Sequence, residues 1–356
     1  MKSVSWKEGR RMEAKVKWYE CSGGTENDVV VSTRLLLSRN IEGFPFCGRM
    51  RASDRQKTLQ TVLSAMEDEN SMLAHAFSFI PLWQISKEEA VSYVERRLAS
   101  PEFVSRADGK GIFVTEDESS SVFVNGGEHI LMQTVLPGLA LERCYETLDL
   151  LESNLGKLLP FSFDGQLGYL TQNPADLGTG LHAALMLHLP GLDYNGAVPR
   201  VAAGLSNLGM DLRSGYEMEN QASLYQLTSR VTLGISEQET LYNLKSMAQQ
   251  VLLQERSARQ AVGSSLKFQD TVARSLAILR QAKLLSCKEC MELLSNVRLG
   301  VACGLVQSVG YEKILSAMLQ VQPATLALLA GQAPDGEQEE ALRAAFVNRL
   351  LAERLA

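Results

Sequence analysis

A glycine-rich turn in the segment 164–190, DGQLGYLTQNPADLGTGLHAALMLHLP, is the first pattern that could do chemistry. The apolar residues Leu181, Leu185 and Leu189 follow the turn at the spacing of a helix face, so we predict a helix there. Backbone N–H groups at a helix start point outward and can hold an anion such as a phosphate. A glycine turn is also common as a tight connection that only packs, and both interpretations stay open.

A second pattern is the pair Cys287-x-x-Cys290. Ser286 and Glu289 fit a helix capping box, which favours incidental placement on a helix over a zinc or redox site. The six cysteines are scattered along a long chain without an export signal, so we expect free thiols.

Length and composition narrow the class of protein. The chain has 356 residues, 45% of them hydrophobic and 21% charged, which is typical of a globular protein of about two domains. We expect no membrane association, because no apolar run approaches the roughly 18 residues of a membrane span. The net charge of −6, without a basic block, argues against nucleic-acid binding. The charged N-terminus lacks a secretory pattern, so we expect a cytoplasmic protein.

The secondary structure predicted around these residues differs between the first and the second part of the chain. We expect residues 1–17 to be a disordered extension, within which Met12 is an alternative start. Residues 18–106 are predicted to form a small, mainly helical N-terminal domain, with one buried strand at 28–33 and helices between 54 and 100.

Residues 107–356 are predicted to form the larger domain. Closely spaced strands at 111–116, 121–126 and 129–136 favour antiparallel pairing. Helices are predicted at 139–155, from the Ser236/Glu239 capping box to about residue 261, at 270–285 and at 338–355. The fold class is therefore α+β, with an antiparallel β-sheet flanked by helices.

Several ordered blocks from about Trp18 to the C-terminus resemble the phosphagen kinase (ATP:guanido phosphotransferase) superfamily, and within it the bacterial protein-arginine kinases. STRLLLSRNIEGFPF is similar to S-[ST]-R-x-R-x-x-R-N-x-x-G-[FY]-P-F. VNGGEHILMQ is similar to x-N-E-E-D-H-[LI]-R-x-Q, and LGYLTQNPADLGTGLHAALMLHLP to the family block that contains the GTG turn. LYQLTSRVTLG, QPATL and LRAAF match as well.

The resemblance implies transfer of the γ-phosphoryl group of ATP, with Mg²⁺, to a guanidinium nitrogen, here an arginine side chain of another protein. Arginines must then bind the phosphates, and carboxylates must orient the guanidinium and remove its proton. Arg34, Arg39 and Arg213 match nucleotide-binding arginines of the family, and His129 and Asn125 keep their places beside the sheet.

Other family positions carry different residues. The resemblance places arginines where this chain has Leu36, Leu131 and His182, although His182 could contact a phosphate when protonated. The substrate-side cysteine of the family is Asn173 here.

The catalytic carboxylates of the family fall on Gly127, next to Gly126, and on Met218. Their neighbours Glu128, Glu217 and Glu219 are the candidate substitutes. Glu128 is one residue away, which on a strand turns the side chain to the opposite face.

The family's phosphoarginine-recognition motif R-D-x-x-R-A aligns with 339–344, EEALRA, where glutamate reverses the charge expected to meet a phosphate. Two hypotheses follow. The preferred one is a pseudokinase with weak or no phosphoryl transfer that acts through a protein partner. The alternative is an active kinase that uses a rearranged site on arginine-containing protein substrates. The resemblance also suggests a homodimer.

Overall fold

The computed structural model describes residues 16–215, 222–331 and 334–352. The predicted disordered extension lies mostly outside these ranges, as do Glu217, Met218 and Glu219. Ten strands are present in the described ranges: β1 Val30–Arg39, β2 Phe77–Pro81, β3 Gly111–Thr115, β4 Ser120–Val124, β5 Ile130–Pro137, β6 Phe163–Asp164, β7 Gly168–Tyr169, β8 Leu181–His188, β9 Met210–Ser214 and β10 Leu224–Ser229.

Eight of these strands form one antiparallel sheet in the order β2-β3-β4-β5-β1-β8-β10-β9, and β6 and β7 form a separate small hairpin. The predicted strands at 111–116, 121–126 and 129–136, and their antiparallel pairing, are confirmed. The helices are α1 Ala52–Met66, α2 Lys87–Glu95, α3 Pro101–Val104, α4 Leu141–Gly156, α5 Pro190–Tyr194, α6 Val198–Ser206, α7 Glu237–Gly263, α8 Leu266–Gln281, α9 Cys287–Ala302, α10 Tyr311–Gln320, α11 Pro323–Ala330 and α12 Gly336–Ala352.

Helices cover both faces of the sheet. Helix α4 packs against β1 and β5, and α7 packs against β8 and β10, so one face buries the main apolar core. On the other face, Val31, Val135 and Leu224 join a second core with Leu315 and Met318 of α10. The C-terminal helices therefore lie against the sheet face opposite α4. The Ser236/Glu239 capping box that opens α7 is confirmed.

Two local predictions are wrong. Residues 181–188 form strand β8 rather than a helix. Their four-residue leucine spacing also suits a central strand, in which Ala183 and Leu187 lie between the leucines on the same buried face. The second error is β2, which lies within a region predicted to be helical.

The sheet also extends across the domain boundary predicted at residue 106. Strand β1 lies in its centre, hydrogen-bonded to both β5 and β8, and β2 lies at its edge. The region 18–106 thus contributes two strands to the sheet of the larger predicted domain.

Within the described ranges, no single helix is long and apolar enough to cross a membrane, whereas α10 and α11 together reach that length and composition with an 89° bend between them. The six cysteines are free thiols. Cys287 and Cys290 lie one turn apart on α9, and Ser286 caps this helix by accepting a hydrogen bond from the Glu289 N–H at 3.2 Å.

Candidate active site

Strand register brings the aligned family positions onto one face of the sheet. Leu36 on β1 lies directly opposite His182 on β8, and Arg34 is two residues away on the same strand. Leu131 on β5 lies opposite Ser38, the next residue of that face of β1. Residues opposite each other in an antiparallel pair share a face, so Arg34, Leu36, Leu131 and His182 surround one surface, hereafter the arginine face.

Arg213 belongs to the same face at the edge of the sheet. It lies opposite Gln226 on β10, which lies opposite Met186 on β8. The Arg213 side chain is 77% exposed and forms an ion pair with Asp211 at 2.5 Å. The structure therefore places Arg34 and Arg213 on one face, although Arg213 already has a carboxylate partner.

Arg34 is half-buried and lines a cavity that Arg97 also lines. Burial and the positive charge of Arg97 lower the pKa of the Arg34 guanidinium to about 10. Because this value lies well above neutral pH, Arg34 remains a cation. Its Nε atom is buried without a hydrogen-bond partner among the described residues.

Arg39 lies outside this group. It is five residues after Arg34 on β1, and alternate side chains of a strand point to opposite faces of the sheet, so its side chain is on the other face. The side chain is 2% exposed, and its Nε donates to Glu152 at 2.9 Å. Its Nη1 donates to the carbonyl oxygens of Ser38 at 2.7 Å and Thr179 at 2.9 Å. The guanidinium also stacks 3.3 Å from the ring centroid of Tyr169. This arginine fixes the turn before β8 and is not placed to bind a nucleotide.

The GTG turn is hydrogen-bonded to neighbouring segments of the chain. Thr179 donates its N–H to the Thr232 carbonyl at 3.1 Å, and Leu181 donates to the Thr179 hydroxyl at 3.2 Å. Gly178 has a φ of +102°, and a Cβ there would overlap the Thr232 carbonyl oxygen. The turn leads into strand β8, so there is no helix start at which an anion could bind, and the described contacts favour the packing interpretation of the two left open.

A small polar cluster joins the two substituted positions next to the GTG turn. The Nε2 of His182 lies 2.9 Å from one oxygen of Asp176. The Nδ2 of Asn173 donates to the other oxygen at 3.2 Å, and the Asn173 Oδ1 caps the turn by accepting from the N–H of Ala175. One carboxylate thus binds the residues that replace the family's arginine and cysteine.

The two residues at the predicted catalytic strand end differ in their surroundings. Gly127 is exposed, and a Cβ at this position would meet no described atom within 4 Å. Glu128 is 6% exposed and accepts hydrogen bonds from the Nδ2 of Asn40 at 2.5 Å and from the backbone N–H of Gln172 at 3.0 Å. Its carboxylate therefore holds the chain before the GTG turn and does not face open space.

His129 and Asn125 have structural roles. The Nδ1 of His129 accepts the N–H of Ile41 at 3.0 Å, and its Nε2 lies 2.9 Å from the Pro45 carbonyl oxygen. Asn125 has a φ of +60° and donates through its amide to backbone carbonyls at 2.7 and 2.8 Å. Asn125 thus connects the end of the sheet to α1 and to the loop at Gly109, and His129 connects it to the segment 41–45.

The stretch aligned with the phosphoarginine motif is an internal ion pair. Arg343 is 1% exposed and donates to the carbonyl oxygens of Val321 at 2.9 Å and Leu285 at 3.0 Å. Its remaining nitrogen pairs with Glu339, one helical turn away. The surviving arginine is therefore neutralised within the chain and ties α12 to the neighbouring helices.

Two residues beside the arginine face are not identified from the sequence. Arg97, at the end of α2, and Trp18 both line the cavity beside Arg34. Neither belongs to a motif of its own, and both come from segments remote from β1 in sequence. Arg97 adopts a φ of +67°. No residue pattern in the sequence indicates this backbone conformation for an arginine.

The described residues do not fit a Mg-triphosphate. Such a group carries about four negative charges and is normally bound by several arginines and an acid-held metal ion. Here Leu36 and Leu131 are apolar, His182 is bound to Asp176, and Arg213 is paired. Among the described residues there is also no group of three or more His, Cys, Asp or Glu that could hold a metal ion.

Known proteins share this arrangement of the chain. Residues 57–258 match the ATP:guanido phosphotransferase C-terminal catalytic domain, and residues 265–355 match the protein-arginine kinase McsB C-terminal domain. The protein-arginine kinase of Clostridium acetobutylicum is 32% identical over 330 residues, which cover 92% of this chain and 97% of that protein. The protein-arginine kinase of Moorella thermoacetica is 32% identical over 346 residues, covering 96% and 99%.

Solved structures support the fold. A duplicated taurocyamine kinase from Schistosoma mansoni with bound transition-state-analogue components has a TM-score of 0.61 at 21% identity, covering 75% of this chain and 40% of that one. Lombricine kinase has a TM-score of 0.57 at 18% identity, covering 69% and 71%. The expected phosphagen-kinase-like fold is thus confirmed. By sequence and fold, the chain belongs to the ATP:guanido phosphotransferase family, and within it to the protein-arginine kinases.

Proposed function

We propose that this member of the protein-arginine kinase family is a pseudokinase, with weak or no phosphoryl transfer, that acts by binding a protein partner. The observation that carries the proposal is the pair Gly127 and Glu128. The position aligned with the family's catalytic carboxylate has no side chain. The adjacent carboxylate is buried and hydrogen-bonded to Asn40 and to the backbone of Gln172.

The electrostatics of the arginine face support the same proposal. A hydrogen bond to a charged group contributes about 1.5–3 kcal/mol, so replacing arginines at Leu36, Leu131 and position 182 removes several kcal/mol of phosphate binding, although such contributions are not strictly additive. Arg213 must also leave Asp211 before it can bind a phosphate. Loss of a general base lowers a rate by about 10²–10⁴-fold.

An active kinase with a rearranged site is the second candidate. The observation in its favour is that Arg34 and Arg213 occupy the same face of the sheet. Glu217 and Glu219 follow β9 closely in sequence and would have to supply the carboxylate. In this alternative the chain transfers the γ-phosphoryl of Mg-ATP to arginine side chains of a protein substrate.

Calorimetric titration with Mg-ATP separates the two candidates at the binding step. The pseudokinase proposal predicts no saturable binding in the micromolar range. A variant with Leu36→Arg, Leu131→Arg and His182→Arg should gain measurable affinity, because three guanidinium groups then surround the arginine face. Tight, Mg²⁺-dependent binding by the unmodified chain would overturn the proposal.

A matched control tests whether added positive charge anywhere on the surface raises the affinity for Mg-ATP. Arginine substitutions at Tyr194, Leu208 and Leu253, which are 75%, 60% and 66% exposed, also add three positive charges. This control should not gain affinity for Mg-ATP.

The proposed setting of the chain is the cytoplasm, where it acts as a homodimer or bound to another protein. Light scattering after size-exclusion chromatography measures its oligomeric state.

A further inference from the structure

Two segments next to one end of the sheet carry an excess of positive charge. Residues 47–57, which lead into α1, contain four cations, and residues 101–110, which lead into β3, contain two. The same segments contain three carboxylates, so they have three more positive than negative charges, in a chain whose net charge is −6. The carboxylates are Asp54, Glu102 and Asp108. The six cations, hereafter the basic patch, are Arg49, Arg51, Arg55, Lys57, Arg106 and Lys110.

Direct contacts hold the two segments together. A Cβ at Gly109 would lie 3.1 Å from the Cβ of Arg55. The Nδ2 of Asn125 donates to the carbonyl oxygen of Arg55 at 2.8 Å and to that of Gly109 at 2.7 Å. Within the first segment, the Nη2 of Arg55 donates to the Cys47 carbonyl oxygen at 3.0 Å. The two segments therefore form one continuous surface.

The basic patch is not neutralised within the part of the chain that the structure describes. None of its six cations forms an ion pair with a described carboxylate. Asp54 instead accepts the backbone N–H of Arg51 at 3.0 Å at the start of α1. Burial and the positive charge of Arg55 lower the pKa of Lys110, and Arg106 acts in the same direction. These cations therefore lie close enough to repel one another.

Most of this charge is accessible to a partner. Arg49, Arg51, Lys57 and Arg106 are exposed, and Arg55 is half-buried. The arginines at the start of α1 do not stabilise that helix, because positive charge is unfavourable near a helix N-terminus. A surface of unpaired like charges attracts an oppositely charged partner.

The basic patch borders the strand end at Gly126 and Gly127. A Cβ at Gly126 would lie 3.3 Å from the ring of Phe103. The Phe103 carbonyl oxygen accepts a hydrogen bond from the Nζ of Lys110 at 2.9 Å, and Asn125 binds the backbone of Arg55. Like-charge repulsion therefore opposes the approach of an arginine side chain to this end of the sheet, whereas a carboxylate is attracted.

From these observations we infer that the basic patch binds an acidic segment of a partner protein, rich in aspartate and glutamate. The inference rests on the proposed function, because it gives the chemistry of the partner through which the pseudokinase acts. A short acidic segment contacts only the basic patch. A long polyanion such as a nucleic acid would also meet the rest of the chain, which carries the negative net charge.

The test measures binding of a fluorescein-labelled deca-glutamate peptide to the full chain by fluorescence anisotropy at neutral pH. A deca-lysine peptide with the same label is the comparison. The expected result is saturable binding of the glutamate peptide alone, at one site per chain. Its affinity should fall as sodium chloride is raised from about 50 mM to about 200 mM, because salt screens exposed charges.

A pair of double variants makes the test specific. Arg49→Glu combined with Arg51→Glu reverses two exposed charges of the basic patch and should raise the dissociation constant of the glutamate peptide about tenfold or more. Arg143→Glu combined with Arg200→Glu makes the same change of net charge at exposed positions of α4 and α6. This control should bind the peptide within about twofold of the unmodified chain. Each variant is first shown to be folded by its thermal unfolding transition.

Two outcomes would overturn the inference directly, namely no saturable binding of the glutamate peptide, or equal losses in the two double variants. Tighter binding of a single-stranded oligonucleotide that is lost in the Arg49→Glu/Arg51→Glu variant would also overturn it, because the partner would then be a nucleic acid. The proposed function fails separately. Tight binding of Mg-ATP by the unmodified chain would contradict the pseudokinase proposal whatever the peptide does, and absence of peptide binding alone would leave that proposal in place.

Discussion

The Glu128 carboxylate accepts the backbone N–H of Gln172 through both of its oxygens, each 3.0 Å from the nitrogen. This contact joins the turn before β5 to the segment before the GTG turn. Truncation by Glu128→Ala removes the acceptor for this N–H and for the Asn40 amide. We expect the free energy of unfolding to fall by about 2–4 kcal/mol in urea titrations.

The control for this prediction is Glu146→Ala, which removes a carboxylate from the exposed face of α4. Its effect should stay within about 0.5 kcal/mol. If the Glu128→Ala variant were as stable as this control, Glu128 would not hold the backbone of Gln172, and its carboxylate would again be a candidate catalytic group.

Substitution of glycine by alanine should change the free energy of unfolding differently at Gly178 and at Gly127. Gly178 has a φ of +102°, and a Cβ there overlaps the Thr232 carbonyl oxygen. Gly178→Ala should therefore lower the free energy of unfolding by at least about 1–3 kcal/mol. Gly127→Ala, with open space around its Cβ, should change it by less than about 0.5 kcal/mol. Equal losses in chemical denaturation would contradict the described geometry.

Stability should fall in mild acid because of His188. Burial, together with the positive charges of Arg298 and Arg259, holds the pKa of this imidazole well below its usual range, while its Nε2 lies 2.9 Å from the Ser295 hydroxyl. The unfolded chain takes up a proton near pH 6.5 that the folded chain does not. Stability is therefore fully present above that pH and declines below it, by up to about 1.4 kcal/mol per pH unit.

The measurement is the free energy of unfolding between pH 5 and 8. His188→Gln should flatten the profile, leaving a smaller slope of the same sign from His129, whose pKa is also lowered by burial. His75→Gln, at an exposed position, serves as the matched control and should keep the slope of the unmodified chain. A profile unchanged by His188→Gln would show that this imidazole does not control acid sensitivity.

The sequence was sufficient for the fold class, the antiparallel strands from 111 to 136 and the α7 capping box, because turn residues and caps are local signals. It was insufficient at β8, where a central strand shares its leucine spacing with a helix. The role of Arg39 depends on Glu152 and Tyr169, which are distant in sequence. Likewise, Trp18 and Arg97 are distant from Arg34 in sequence, and the three residues line one cavity only in the folded chain.

We propose that phosphoryl transfer by this chain is weak or absent, because the position aligned with the catalytic carboxylate is Gly127 and the Glu128 side chain is hydrogen-bonded to Asn40 and Gln172. The most direct measurement incubates the folded, full-length chain with γ-labelled ATP, Mg²⁺ and an arginine-rich protein. We predict little or no acid-labile label on the arginine-rich protein above a control that lacks this chain. Acid-labile label on arginine side chains, lost on substitution of Glu217 or Glu219, would contradict the claim and establish the active alternative.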